Sequence, residues 1–259
     1  MMNLRAFFRL LAACLVFVPA AVFASGRLLQ LGTLSSLVEG VYDGTLAMET
    51  IQRPEAYGLG TFDRLDGEMI VLDGVVYRVG VDGAVNKPSV TSKVPFASVS
   101  VLTAPDIDEQ AGAFASKAEL EAFITARLPS LNYPVLIVLE GDFADVTTRS
   151  VPAQAKPYPT LAQVVADGQV VFPLGAQKGV AVGFYFPPAF AGLNAPGFHL
   201  HFIDETRKCG GHVMDIAPTR GRLRLQVLTS AQFILPPLDS DFASSELSTA
   251  KPAAKVVGE

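Results

Sequence analysis

The segment GEMIVLDGVVYRVG, residues 67–80, is the feature that most constrains the fold of this chain. Two runs rich in β-branched residues flank Asp73-Gly74, a pair typical of the two-residue turn in a β-hairpin. The chain has 22 glycines and 18 prolines, which separate further β-rich runs and favour short strands over a helical bundle. The strand-like pattern extends over 58–81, and more strands are predicted at 97–103, 133–148, 169–173, 178–186, 198–204, 211–217 and 221–229.

Three short helices are predicted between these strands, the first over 33–38. The second and third begin with capping boxes at Ser116 and Thr160, where a hydroxyl residue is followed three positions later by Glu or Gln. The second helix is predicted to end near Leu128, just before a proline, and the third at Gly168.

These elements predict an α+β fold of mostly antiparallel or mixed β-sheet, in two packed-sheet or barrel-like halves with a few covering helices. Residues 25–236 are predicted to form one domain. Residues 237–259 are rich in Ser, Ala and Lys and are predicted to form a C-terminal tail.

The N-terminus has the pattern of a secretory signal peptide. Arg5 and Arg9 precede an apolar run of about 15 residues, which is too short for a membrane helix, and small residues follow. Cleavage is expected after Ala24, so the protein is predicted to be exported, to the periplasm or the exterior. A lipoprotein signal ending at Cys14 is the alternative, and the apolar run that continues beyond Cys14 argues against it.

The charge of the remaining chain limits the classes of partner. Removing residues 1–24 leaves 18 basic and 25 acidic residues, a net charge of −7. An acidic chain without a basic block disfavours nucleic acid and anionic membranes as partners, so no stable membrane association is expected after cleavage. Cys209 is then the single cysteine, which excludes an intrachain disulfide.

All three histidines lie in GFHLHFIDETRKCGGHVMDI, residues 197–216. His199 and His201 are two positions apart, so on a strand both side chains leave the same face. His212 lies on the next predicted strand, which would return it to that face. Three imidazoles without a thiol are typical of a catalytic zinc site with an open fourth position, although imidazole also suits iron, nickel and copper. The alternative is that the histidines are ordinary polar strand residues.

A cupin site is a second interpretation of this segment, because Glu205 follows His199 and His201 at a suitable spacing. The cupin pattern places its third histidine several strands later, however, and His212 comes too soon. Glu205 and Cys209 both lie in a polar or glycine-rich loop, so neither is expected to bind the metal.

A metal held by three imidazoles can activate water, as in a hydrolase, or polarise a substrate oxygen, as in a lyase. Arg149 could hold a substrate carboxylate in a bidentate contact, and Glu68 could transfer a proton. Either residue taken alone could equally be a surface strand residue. From these residues alone, a lyase, a hydrolase and a non-catalytic exported binding module remain open.

Longer segments distinguish these classes by resemblance. They occur in order across nearly all of the chain after residue 24, and they are GLGTFDRLDGEMIVLDG at 58–74, TRSVPAQAKPY at 148–158, GVAVGF at 179–184, GFHLHFI at 197–203 and GGH at 210–212. Together they resemble the alpha-acetolactate decarboxylase family. The resemblance implies decarboxylation of (S)-2-acetolactate to (R)-acetoin and CO2, Zn2+ as the cofactor, and a homodimer.

The resemblance also assigns site residues. It implies that the three histidines bind the metal, and that Thr61, Glu68 and Arg149 contact the substrate or transfer protons. The family uses a further glutamate near its C-terminus, which corresponds to Glu259 in this chain, with Glu246 as the alternative. The tail is therefore expected to return to the active site. Decarboxylation pushes an electron pair toward the ketone, and a Lewis acid can accept that charge without thiamine or pyridoxal.

Overall fold

The hairpin at Asp73-Gly74 forms as predicted. Asp73 has φ +49° and Gly74 has φ +75°, so both turn residues are left-handed, as a tight hairpin turn requires. The protein is described from a computed structural model, which covers residues 26–247. The predicted signal peptide, 1–24, and Glu259 lie outside the described residues.

Strands dominate residues 26–247. They are β1 (Arg27–Leu31), β2 (Leu46–Ala47), β3 (Ala56–Thr61), β4 (Glu68–Leu72), β5 (Val75–Val79), β6 (Val85–Asn86), β7 (Lys93–Val94), β8 (Phe96–Val101), β9 (Ile107–Ala111), β10 (Val135–Ser150), β11 (Val170–Pro173), β12 (Gln177–Phe186), β13 (Gly197–Asp204), β14 (Gly210–Val227) and β15 (Ser230–Ile234). The α-helices are α1 (Leu34–Val38), α2 (Lys117–Thr125), α3 (Leu161–Gly168) and α4 (Asp241–Ser244).

The helices begin where their caps predict. The side chains of Thr33, Ser116 and Thr160 accept backbone N–H bonds at the first turns of α1, α2 and α3. Thr160 and Gln163 form a reciprocal capping box, whereas only half of the box predicted at Ser116 forms, because the carboxylate of Glu119 accepts from the backbone N–H of Ala115 instead. Helix α2 ends at Thr125, three residues before the predicted end near Leu128.

Two sheets contain nearly all of the strands. A seven-stranded sheet has the order β15-β1-β8-β3-β4-β5-β6, in which β1 and β15 are parallel and the other pairs antiparallel. A six-stranded antiparallel sheet has the order β11-β10-β12-β13-β14-β9. Strand β10 pairs with both β12 and β14, so β10, β12, β13 and β14 close into a barrel. The predicted α+β fold of mixed sheets with a barrel-like half is confirmed.

The predicted division of one strand into two is wrong. Residues 211–217 and 221–229 were expected to be separate strands with a turn at Pro218, but they form the single strand β14. The strand bends instead of turning, because register shifts on both sides of the Phe143–Pro218 pair interrupt the regular ladder and accommodate the proline. Gly141 allows the close approach of the two strands, since a Cβ there would lie 2.1 Å from the carbonyl oxygen of Arg220.

A shared apolar core joins the two sheets. Leu59 and Ile70 of the seven-stranded sheet lie in one buried cluster with Leu136, Val182 and Phe184 of the six-stranded sheet. Helices α1 and α3 contribute leucines to the same cluster. The ends of β3, β4, β10, β13 and β14 meet beside this core, and the polar site lies there. Within residues 26–247, no helix is long and apolar enough to cross a membrane.

Candidate metal centre

The pairing of β13 with β14 brings the three histidines together. His201 lies directly opposite His212, and His199 leaves β13 on the same face. Nε2 of His201 is 3.3 Å from Nε2 of His199 and 3.3 Å from Nδ1 of His212. One ring nitrogen from each residue lies within 4.8 Å of the others, and all three side chains are buried.

The separations of these nitrogens are compatible with a shared metal ion. Ligands about 2.0–2.1 Å from zinc at the tetrahedral angle are about 3.3–3.4 Å apart. Two of the nitrogen pairs match that separation, and all three nitrogens lie close enough together to share one ion. Three imidazole nitrogens are also the donor set of an open catalytic site.

The ring of His201 is held in the orientation that binds a metal, and all three imidazoles are neutral at neutral pH. Nδ1 of His201 lies 2.8 Å from the carbonyl oxygen of Met69 on β4, so this nitrogen carries the proton and Nε2 presents its lone pair to the cluster. Burial lowers the pKa of His201 to about 3, and the charge of Arg149 acts in the same direction. Burial also holds the pKa values of His199 and His212 well below the ordinary value of 6.5. Neutral imidazole is the ligand form.

Glu68 and Arg149 adjoin the histidines. Glu68 begins β4 of one sheet and Arg149 ends β10 of the other, where it pairs with His212. Oε1 of Glu68 is 3.5 Å from Nη1 of Arg149, and Oε2 of Glu68 is 3.5 Å from Nε2 of His201. Both side chains are buried. The alternative that either of them is a surface strand residue is therefore wrong.

Burial changes the acidity of this pair. It raises the pKa of Glu68 to about 7, partly offset by the charge of Arg149. It lowers the pKa of Arg149, opposed by Glu68. Neighbouring hydroxyls anchor the strand that carries Arg149, because Thr148 donates to the carbonyl of Gly210 and Ser150 donates to that of Val79. The site therefore combines a fixed cation with a carboxyl group that can be protonated near neutral pH.

Thr61 lies at the end of β3, opposite Glu68 in the ladder. Its hydroxyl donates a 2.8 Å hydrogen bond to the carbonyl oxygen of Gly67. Because its one proton is used in that bond, Thr61 can only accept a hydrogen bond from a ligand.

A small cavity joins these groups. It is narrow, since the centre of a water molecule can occupy only about 40 Å³ of it. Its polar lining consists of Thr61, Glu68, Arg149, His199, His201 and His212. Its apolar lining consists of Leu34, Leu37, Gly60, Leu65, Phe96, Val151 and Leu161. The apolar residues were not predicted as site residues, because they come from five separate segments that meet only in the folded chain.

The sequence alternatives fall outside this cavity. Glu205 is exposed and forms a 2.8 Å ion pair with Lys178, which disfavours the cupin interpretation. Cys209 is half-buried, and its thiol lies 3.9 Å from the side-chain oxygen of Gln177. Glu246 is exposed just after α4 and does not line the cavity among residues 26–247.

Comparisons with known proteins identify the family of the chain. The family model described as alpha-acetolactate decarboxylase matches residues 28–249. The alpha-acetolactate decarboxylase of Methanosarcina mazei is 40% identical over 224 residues, which are 86% of this chain and 77% of that protein. The alpha-acetolactate decarboxylase of Bacillus subtilis is 38% identical over 189 residues, 73% of each chain.

Solved structures show the same fold. The crystal structure of alpha-acetolactate decarboxylase from Bacillus subtilis strain 168 superposes with a TM-score of 0.81 at 33% identity, over 89% of this chain and 97% of that one. A Staphylococcus aureus protein of unknown function, described as similar to alpha-acetolactate decarboxylase, superposes with a TM-score of 0.82 at 27% identity. The superposition covers 89% of this chain and 98% of that one. The family model spans most of the chain and the relatives exceed 30% identity, so this chain belongs to the alpha-acetolactate decarboxylase family of carboxy-lyases.

Proposed function

We propose that this protein catalyses the zinc-dependent decarboxylation of (S)-2-acetolactate to (R)-acetoin and CO2. The observation that supports it most is the placement of Arg149, Glu68 and Thr61 beside three convergent imidazoles in one buried cavity. A hydrolase would share the imidazoles. A buried cation suited to a carboxylate, together with the family membership, favours the lyase.

His199, His201 and His212 would hold the zinc ion. When bound, zinc supplies a Lewis acid for the hydroxyl and carbonyl oxygens of the substrate. Zinc is proposed because three neutral imidazoles are typical of its catalytic sites. Imidazole also binds other metals, so metal analysis of the purified protein identifies the ion.

Arg149 binds the substrate carboxylate. Its guanidinium is buried at the end of β10, and a guanidinium can donate two parallel hydrogen bonds to a carboxylate. Holding the carboxylate there fixes the carbon–carbon bond that breaks. The electron pair of that bond passes toward the ketone as CO2 leaves, which produces an enediolate.

Glu68 holds the proton that completes the reaction. Burial raises the pKa of Glu68, which favours the protonated form of the carboxyl group, although the charge of Arg149 opposes this shift. The carbon that loses CO2 must gain a proton, and a carboxyl group fixed on one side delivers it to one face. Delivery to one face yields a single enantiomer of acetoin.

Thr61 orients the substrate by accepting a hydrogen bond from its hydroxyl group, since its own proton is donated to Gly67. Thr61→Val is expected to lower kcat/KM by about 10- to 100-fold, because a buried hydroxyl of the substrate then lacks its acceptor. Thr61→Ser retains the oxygen and is expected to restore most of the activity. Steady-state kinetics test this role, and wild-type kcat/KM in the valine variant would contradict it.

We also propose that Glu259 shares the proton transfer with Glu68, on the basis of the family resemblance. Deleting residues 256–259 or substituting Glu259→Gln is expected to lower kcat at least about tenfold with zinc retained. Glu246→Gln is the matched comparison, because Glu246 is exposed and lies outside the cavity lining. Unchanged kinetics in both Glu259 variants would exclude this residue.

The direct test of the function uses purified protein, zinc and racemic acetolactate. We expect the (S)-enantiomer, which is half of the racemate, to react first. This first phase should release CO2 and form acetoin of one configuration. Folded, zinc-loaded protein that releases neither product would exclude the decarboxylase. Hydrolysis of an ester or amide without decarboxylation would indicate a hydrolase. Zinc binding without any turnover would indicate a non-catalytic binding module.

Export and dimerisation are further proposals. The N-terminal pattern supports cleavage after Ala24 and a periplasmic or secreted protein. N-terminal sequencing of protein from the periplasm and the medium tests the cleavage site and the location. Light scattering of the purified protein tests the homodimer.

A further inference from the structure

The loop that joins Thr61 to Glu68 has an unusual backbone. Arg64 and Leu65, neither of them glycine, both have φ +61°. Left-handed conformations of this kind are unfavourable for L-residues, and they persist where the surroundings determine them. Such residues concentrate at functional sites.

Hydrogen bonds hold this loop from both sides. The backbone N–H of Arg64 donates to the carbonyl of Tyr42 at 2.8 Å, and the N–H of Gln154 donates to the carbonyl of Arg64 at 2.8 Å. Within the loop, the N–H of Leu65 donates to the carbonyl of Phe62 at 2.9 Å. The Thr61 hydroxyl closes the loop through its bond to Gly67. The position of Leu65 is therefore tied to that of Thr61.

The side chain of Leu65 is part of the cavity wall. It is 3% exposed and belongs to the apolar lining with Leu34, Leu37 and Phe96. The centre of a water molecule can occupy about 40 Å³ of the cavity, and by that measure each water needs roughly 10–15 Å³, so there is room for only a few water molecules. A larger apolar group on the substrate would therefore compete with Leu65 for space.

We infer that Leu65 is a specificity-determining residue, which limits the alkyl group on the substrate carbon that bears the hydroxyl. This inference rests on the proposed function, because Thr61 is assigned to that hydroxyl and lies in the same closed loop as Leu65. The favoured substrates are α-hydroxy-β-keto acids with a methyl group at that carbon. One additional methylene in an apolar pocket changes discrimination by roughly 10- to 200-fold.

The test measures kcat/KM for acetolactate and for its analogues with an ethyl or propyl group in place of that methyl. We expect the wild-type protein to disfavour the propyl analogue by at least about tenfold, and Leu65→Ala to shift the propyl-to-methyl ratio by at least about tenfold toward propyl. Leu72→Ala is the matched control, because Leu72 is buried in the same core cluster and does not line the cavity. It should lose stability without changing the ratio.

Leu65→Gly provides a second variant for the case in which Leu65→Ala does not fold. Glycine adopts φ +61° readily, so this variant removes the side chain and relieves the backbone. We expect the same shift toward the propyl analogue. A wild-type protein that accepts propyl as well as methyl, or an unchanged ratio in a folded Leu65 variant, would overturn the inference while leaving the proposed function intact. A zinc-loaded wild-type protein inactive on acetolactate would contradict both.

Discussion

Replacing His201 with alanine is expected to remove bound zinc and to lower kcat/KM by at least about 1,000-fold. Nε2 of His201 lies 3.3 Å from the ring nitrogens of both other histidines, so it is the central donor of the cluster. Its ring is also fixed by the bond to Met69, and the substitution removes that support. Metal analysis of the purified variant and steady-state kinetics measure the two effects.

Cys209→Ser is the matched control for His201→Ala. The cysteine is the nearest other soft ligand in the sequence, and in the structure its thiol lies near Gln177. The serine variant should retain zinc and wild-type activity. An alanine variant of His201 that binds one zinc per chain and keeps its activity would show that the cluster is not the metal site.

Glu68→Gln is expected to retain zinc and to lower kcat by about 100- to 10,000-fold, the range typical of a lost general acid. The amide has the same shape, but its N–H protons are not acidic enough to be delivered to the carbon that loses CO2. The acetoin that is still formed should also lose enantiomeric purity, because solvent then supplies the proton without a fixed direction. Stopped-flow kinetics and chiral chromatography of the product test these expectations.

Glu205→Gln is the corresponding control for Glu68→Gln. Glu205 is exposed and paired with Lys178, so its substitution should leave kcat and the metal content unchanged. If Glu205→Gln instead removed the metal, the cupin interpretation would be favoured. Wild-type kcat and enantiomeric purity in Glu68→Gln would exclude Glu68 from proton transfer.

Local patterns in the sequence predicted the parts of the fold that depend on neighbouring residues. The Asp73-Gly74 turn and the caps at Ser116 and Thr160 form as expected, because each depends on residues within a few positions. The alternation of His199 and His201 also predicted a shared strand face, and the pairing with His212 confirms it.

Contacts between segments that are distant in the sequence could not be predicted from local patterns. Strand β15 adds to β1 in parallel although about 200 residues separate them, and β14 continues through Pro218 because β10 bends with it. Glu68 and Arg149 come from different sheets, so their burial against each other follows only from the packing of those sheets. Both residues were candidates from their chemistry, and the family resemblance assigned them to the site, whereas Leu65 had no distinguishing signal in the sequence.

Zinc titration of metal-free protein tests the central claim most directly. Acetoin formation from acetolactate should be nearly absent without metal, rise in proportion to added zinc, and reach a plateau at one zinc per chain. Full activity in demonstrably metal-free protein, or folded protein that binds one zinc per chain and forms no acetoin, would contradict the account.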